Sequence, residues 1–235
     1  MNFWDHLEVL RRCILRSLAV AMIFAILAFY FKDEIFAIVL APKDDSLKLI
    51  NTELTSQFLI HMRISFYAGV LVAAPYILVE MYNFVSPALY KNERKYATRI
   101  VLSSYLMFIL GTVFSYFVVF PFTLRFLGGY QVSSDVENLI SLSSYIDTFL
   151  VLCLMMGVVF ELPVLTWLLG KMGLINRQLM QQYRRHAVVA ILVVAAIITP
   201  TTDAFTLLIV SVPIYLLYEL SIYVVPRKKE LNFAK

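Results

Sequence analysis

Charge is scarce in this chain. Only 15% of its 235 residues are Asp, Glu, Lys or Arg, where a soluble domain carries roughly a quarter. Glycine is scarce too, with seven in all, so there is no glycine-rich loop to cradle a phosphate. The two cysteines, Cys13 and Cys153, lie far apart, in or beside apolar runs and without a CxxC or metal spacing. They read as small packing residues. The three histidines, His6, His61 and His186, form no HExxH-like pattern, and Ser103-Ser104 and Ser143-Ser144 have no obvious base beside them. These absences argue against a metal centre, a nucleotide-binding domain and a hydrolase. The chain is read as a non-enzyme that takes no cofactor. Nucleic-acid binding finds no support beyond basic residues that membrane topology already explains.

What the chain does have is long apolar runs. It is 61% hydrophobic with a mean hydropathy of +0.80. The runs lack an amphipathic period, so the solvent they are written for is lipid. This is an integral membrane protein with no room for a separate soluble domain, read as one membrane domain over 1–235. Asp5 and Glu8 spoil the positive region that a cleavable signal would need. Residues 2–12 place Phe3, Leu7, Leu10 and Ile14 at helical spacing and predict a short helix lying on the membrane surface before the chain turns in.

Six spans follow, at about 13–31, 64–85, 100–122, 146–170, 187–199 and 204–218. Pro75 is expected to kink the second. The last two are short: at 1.5 Å per residue they rise only about 20 and 22 Å, against a hydrocarbon core of about 30 Å. They are expected to sit tilted or to thin the bilayer. Of the 20 Lys and Arg residues, only Lys32, Lys43, Lys48, Arg63 and Arg125 fall on one face of this layout. The positive-inside rule then places both termini in the cytoplasm.

Two carboxylates stand out. Ser86 and Pro87 form a helix-start signal in FVSPALYKNERKYATR (84–99). The helix would hold Glu93 at the membrane surface among Lys91, Arg94, Lys95 and Arg99. Glu93 either offsets these neighbours or presents a fixed carboxylate at a basic surface. Glu161 lies deep in the fourth span with no basic residue within helical reach. Pro163 beside it frees the Val159 carbonyl, so polarity clusters there. Glu161 is either a protonated acid tying two helices together or a functional group.

FVSPALYKNER (84–94), YFVVFP (116–121), GVVFELPV (157–164), ITPTTDAFT (198–206) and VPIYLLYELSI (212–222), behind HLEVLRR (6–12), together resemble the TatC family. TatC is the polytopic subunit of the twin-arginine translocase, which exports folded proteins. The resemblance covers nearly the whole chain, in order. It implies an all-α, cup-like bundle of six transmembrane helices in the bacterial cytoplasmic membrane, with helices 5 and 6 short. It further implies a receptor for twin-arginine signal peptides, driven by the proton-motive force. On that reading Glu93 receives an arginine, while Phe84, Pro87, Leu89, Tyr90 and Arg94 shape the patch with Leu7, Glu8 and Arg11 of the N-terminal segment. Glu161, with Pro163, would face single-span TatA-type partners, with or without a separate TatB-type subunit, and Asp203 would be the acid of the outer hairpin. Further copies of the chain would complete an oligomer. One departure concerns the family pattern HLxELR, because Val9 stands where its glutamate is expected and Glu8 comes one residue early. That step turns a helix by about 100°, so Glu8 either reaches the second arginine after a shift or pairs with Arg11 or Arg12. A proton-coupled secondary transporter using Glu161 is the rival reading. It would call for internal repeats, and residues 1–122 and 123–235 show no such correspondence.

Overall fold

The computed structural model describes residues 3–43, 48–52, 54–85, 97–129, 139–199 and 203–226. The chain divides into two compact units, Met1–Ala41 with Asn51–Tyr105, and Pro42–Ile50 with Leu106–Lys235.

In the first unit, α1 (Phe3–Tyr30) and α3 (Ser56–Val85) pack along their lengths, with α2 (Lys32–Leu40) against them. Many of the buried residues of these helices are small, Cys13, Ala21, Ala25, Ala73 and Ala74, beside the larger Ile60, Ile64, Tyr67 and Tyr82 of α3. Lipid tails are as apolar as leucine, so membrane helices associate through close packing rather than through apolar burial. Gly69 marks the closest approach, since a Cβ there would lie 2.5 Å from the Ala25 nitrogen and 2.7 Å from the Ala21 carbonyl oxygen. The Phe36 ring of α2 meets His61 of α3 at 5.4 Å between centroids.

The expected surface helix over 2–12 is not a separate element. α1 is one unbroken helix of 28 residues, because no glycine or proline interrupts the passage from Arg12 to Cys13 and a Glu8–Arg12 pair spans the turn before it. α3 likewise begins at Ser56, ahead of the expected start, and runs through Pro75 without interruption.

The second unit is built around α6 (Leu142–Val159), whose Tyr145, Phe149, Leu152 and Met156 are buried. α4 (Ala97–Phe114) supplies its C-terminal half, then widens through a π-turn (Ser115–Val119) into α5 (Phe120–Gly129). The Phe120 N–H reaches back to the Ser115 carbonyl. Pro121 follows directly, and a widened turn is where a helix absorbs a residue that lacks an N–H and crowds the preceding carbonyls. The third apolar stretch therefore continues to Gly129 instead of stopping at Phe122. Phe120 stands edge-on to Tyr145 and Phe149, with centroids 5.1 and 5.0 Å away. Gly157 lets α6 approach α4, for a Cβ there would meet the Phe108 ring at 2.8 Å. Two short strands, β1 (Leu49–Ile50) and β2 (Ile140–Ser141), pair in parallel, Leu49 opposite Ile140. Ser141 then caps α6 by accepting from the Ser144 N–H at 3.1 Å.

After α7 (Leu162–Lys171), the basic connector forms α8 (Arg177–Gln182), capped by Asn176. α9 (Arg184–Ile198) has 15 residues and α10 (Ala204–Val224) has 21. The sixth span is thus not short. It rises about 31 Å, because Glu219, where the apolar run is interrupted, is neutralised by Arg184 and the helix continues past it. Among the described residues, five stretches are long and apolar enough to cross a membrane: His6–Tyr30, Ser56–Phe84, Thr98–Gly129, Leu142–Lys171 and Ala204–Val224. The 15-residue α9 is not one of them.

Candidate functional site

In the first unit, the start of α1 meets the end of α3. The His6 ring stacks on Phe84, with centroids 4.3 Å apart and planes at 22°. Leu7 is 40% exposed one residue on, and Arg11 is exposed one turn further. Glu8 pairs with Arg12, Oε1 to Nη2 at 2.6 Å, both side chains more than half exposed. Of the two readings of Glu8, this is the paired one, and the partner is Arg12 rather than Arg11. An exposed i,i+4 pair contributes only about 0.3–0.5 kcal/mol. Phe84, Leu7, Glu8 and Arg11 therefore gather at one end of the α1–α3 pair. Pro87, Leu89, Tyr90, Glu93 and Arg94 lie outside the described residues.

Just below this end sits a carboxylate that sequence reasoning missed. Glu80 on α3 accepts a hydrogen bond from the Tyr76 hydroxyl at 3.0 Å and faces Arg16 of α1 at 3.8 Å, its side chain 15% exposed. The signal was available: Glu80 interrupts an apolar run as Glu161 does, and an acid within a span invites the search for a partner.

The second unit holds Glu161, 8% exposed, at the junction of α6 and α7. Pro163 opens that junction. With no N–H at 163 the ladder from Val159 is cut, and hydrogen bonding resumes with the Leu165 N–H on the Glu161 carbonyl at 2.9 Å. The expected fourth span is thus two helices meeting at the buried acid. Asp203 serves as a helix cap, its Oδ2 accepting the Thr206 N–H at 2.7 Å at the start of α10. The preceding turn, 200–202, lies outside the described residues.

The other unpredicted polar group joins α9, α8 and α10. Arg184 Nη2 lies 2.7 Å from Glu219 Oε2, and the Tyr215 hydroxyl donates to Glu219 Oε1 at 3.1 Å. Two turns of α10 are tied to α8 as well, through the Tyr218 hydroxyl on the Met180 carbonyl at 2.7 Å and Arg177 over the Tyr223 ring at 4.9 Å. Among the described residues no three His, Cys, Asp or Glu side chains gather as metal ligands would. The described polar features are thus a polar and aromatic surface at one end of α1–α3, and a buried acid at a helix break.

The family model described as Sec-independent protein translocase protein (TatC) matches residues 5–213. The TatC of Koribacter versatilis is 36% identical over 230 residues, covering 94% of this chain and 84% of the relative. That of Aquifex aeolicus is 33% identical, with both chains covered completely. A crystal structure described as the twin arginine translocase receptor TatC superimposes with a TM-score of 0.83 at 34% identity, covering 93% of this chain and 97% of the other. A second, obtained in DDM, gives 0.85 at 33% identity, with 94% and 99% covered. Order, length and fold agree over nearly the whole sequence: this chain is a membrane protein of the TatC family.

Proposed function

We propose that this chain is the receptor for twin-arginine signal peptides and the assembly core of a translocase that exports folded proteins across the bacterial cytoplasmic membrane. The observation that carries the reading is its likeness, at 34% identity over 93% of its length, to a solved twin arginine translocase receptor. The basic residues on one face of the span layout support cytoplasmic termini. Residues 1–235 act as one functional domain, and its work is binding, with the proton-motive force as energy source.

The peptide docks where α1 begins and α3 ends. Glu93 takes one arginine in a two-point pair that a lysine ammonium cannot match. Phe84, Pro87, Leu89, Tyr90 and Arg94 line the patch with Leu7 and Arg11. Glu8 exchanges its weak pair with Arg12 for the second arginine. Glu161, beside Pro163, is the contact for TatA-type single-span subunits, whether or not a TatB-type subunit is distinct, and Asp203 holds the hairpin before α10. Several copies of the chain assemble in one complex.

The test is binding of a fluorescent twin-arginine peptide to the purified protein in nanodiscs, beside a twin-lysine peptide. Arginine-selective binding should fall at least about tenfold in Glu93→Ala, since a charged hydrogen-bonded partner contributes about 1.5–3 kcal/mol, and less in Glu8→Ala. Binding indifferent to arginine and to Glu93 in folded protein would sink the receptor reading. Proton flux into liposomes through the chain alone, abolished by Glu161→Gln, would put the transporter in its place.

A further inference from the structure

Along one side of the α1–α3 pair runs a channel of about 460 Å³. Its walls, among them Leu10, Ile14 and Leu18 of α1 with Phe66, Val70 and Met81 of α3, present no polar surface. Ile14, Leu18, Phe66 and Met81 are 55%, 49%, 44% and 52% exposed, so in a membrane the channel opens on lipid. From Leu10 to Ala21 the lining climbs about 16 Å of α1. Such an apolar slot, open along its length to lipid, suits the unbranched hydrocarbon chains that surround it.

The charge lies at the same end as the proposed peptide surface. Arg11, Ile14 and Leu18 follow the i, i+3, i+7 spacing of one helix face. Arg12 is engaged by Glu8, and Arg16 faces Glu80. Arg11 is exposed and makes no ion pair among the described residues. Trp4, 77% exposed in the first turns of α1, suits the depth of the membrane–water interface. We propose that the channel holds one acyl chain of an anionic phospholipid, with its phosphate on Arg11 in the leaflet at the N-terminal end of α1. The site shares Arg11 and Phe84 with the proposed peptide surface, but lipid retention is read in the absence of peptide.

Native mass spectrometry of the full chain, purified with equal phosphatidylglycerol and phosphatidylcholine of matched chains, tests this. One lipid per chain should be retained, with about a fivefold preference for phosphatidylglycerol, the effect of a single arginine near the headgroup. Arg11→Gln should abolish the preference and keep the lipid. Leu18→Trp, filling the channel from an exposed position, should lose the lipid, whereas Ile26→Trp, exposed on α1 outside the channel, should keep it. Size-exclusion profiles establish that each variant is folded, and Ile14→Trp replaces Leu18→Trp if that variant aggregates. Equal retention of the two lipids by the unaltered chain, or retention undiminished in both channel-filling variants, overturns the proposal. So does displacement of the lipid by an apolar peptide lacking an arginine pair, which would make the channel a peptide groove. A loss of lipid that tracks pairing of two chains would assign it to a second copy and equally overturn the proposal. Signal-peptide binding is not read here, so failure of the receptor reading leaves this result intact.

Discussion

A single missing methyl sets the closest contact in the first unit. At Gly69 a Cβ would press on the Ala25 nitrogen and the Ala21 carbonyl of α1, backbone atoms that cannot swing aside as a side-chain tip can. Gly69→Ala must therefore push α1 and α3 apart and loosen the packing around Cys13, Ala21 and Ala25, which in lipid has no apolar driving force to replace it. We expect a stability loss of about 1–3 kcal/mol, read as a lower midpoint in thermal unfolding in detergent. Gly129→Ala, where a Cβ meets nothing within 4 Å, serves as the control and should leave the midpoint in place. An unchanged midpoint in Gly69→Ala would mean that the helices are not in backbone contact. Polar residues divide differently. Asp203 was legible as an important acid, but its capping bond to Thr206 is what the fold adds. Glu8 was legible as displaced from the family pattern, yet only the geometry chooses Arg12 as its partner.

Helix boundaries follow from whether a charged residue at the edge of an apolar run finds a partner. α10 continues past Glu219 because Arg184, 35 positions away in sequence, lies 2.7 Å from it. Apolar run length alone ends the sixth span at Tyr218, although LSIYVV (220–225) resumes the apolar pattern beyond the charge. Removing one member of such a pair leaves the other uncompensated. Arg184→Gln is expected to cost about 1 kcal/mol, kept small because the arginine is 44% exposed and screened. Glu219→Gln should cost less, since its amide oxygen still accepts from Tyr215. The double variant should cost less than the sum, and a double-mutant cycle of unfolding free energies reads the coupling. Strict additivity would show the pair to be energetically idle. Two prolines inside expected spans have different outcomes. Pro163 cuts the fourth span into α6 and α7, whereas α3 stays continuous through Pro75.

Over the whole molecule, the proposed roles fall in different units: peptide recognition on the α1–α3 end, partner assembly at the α6–α7 break. Separate locations predict separable phenotypes. Glu161→Gln keeps the size and hydrogen-bonding capacity of the side chain but removes its ability to ionise. The variant should bind a twin-arginine peptide within about twofold of the unaltered chain, a difference below about 0.5 kcal/mol. It should fail to recruit TatA-type subunits in a reconstituted membrane, measured by co-purification or cross-linking. Lost peptide binding in a correctly folded Glu161→Gln protein would show that the two roles are not divided this way.

The sequence by itself determined the solvent, the class and the order of elements. In a bilayer every backbone group must be satisfied within its own helix, so an apolar run of sufficient length has one outcome available to it. That local rule is why the core of every long span was legible, together with the buried acid at Glu161 and the basic asymmetry of the connectors. The tertiary structure alone decided the ion-pair partners of Glu80 and Glu219, with the latter the reach of α10, the parallel pairing of Leu49 with Ile140, and the channel beside α1. Each of these depends on residues distant in sequence coming within a few ångströms. Short-range helix-forming rules carry no information about which helix face meets which.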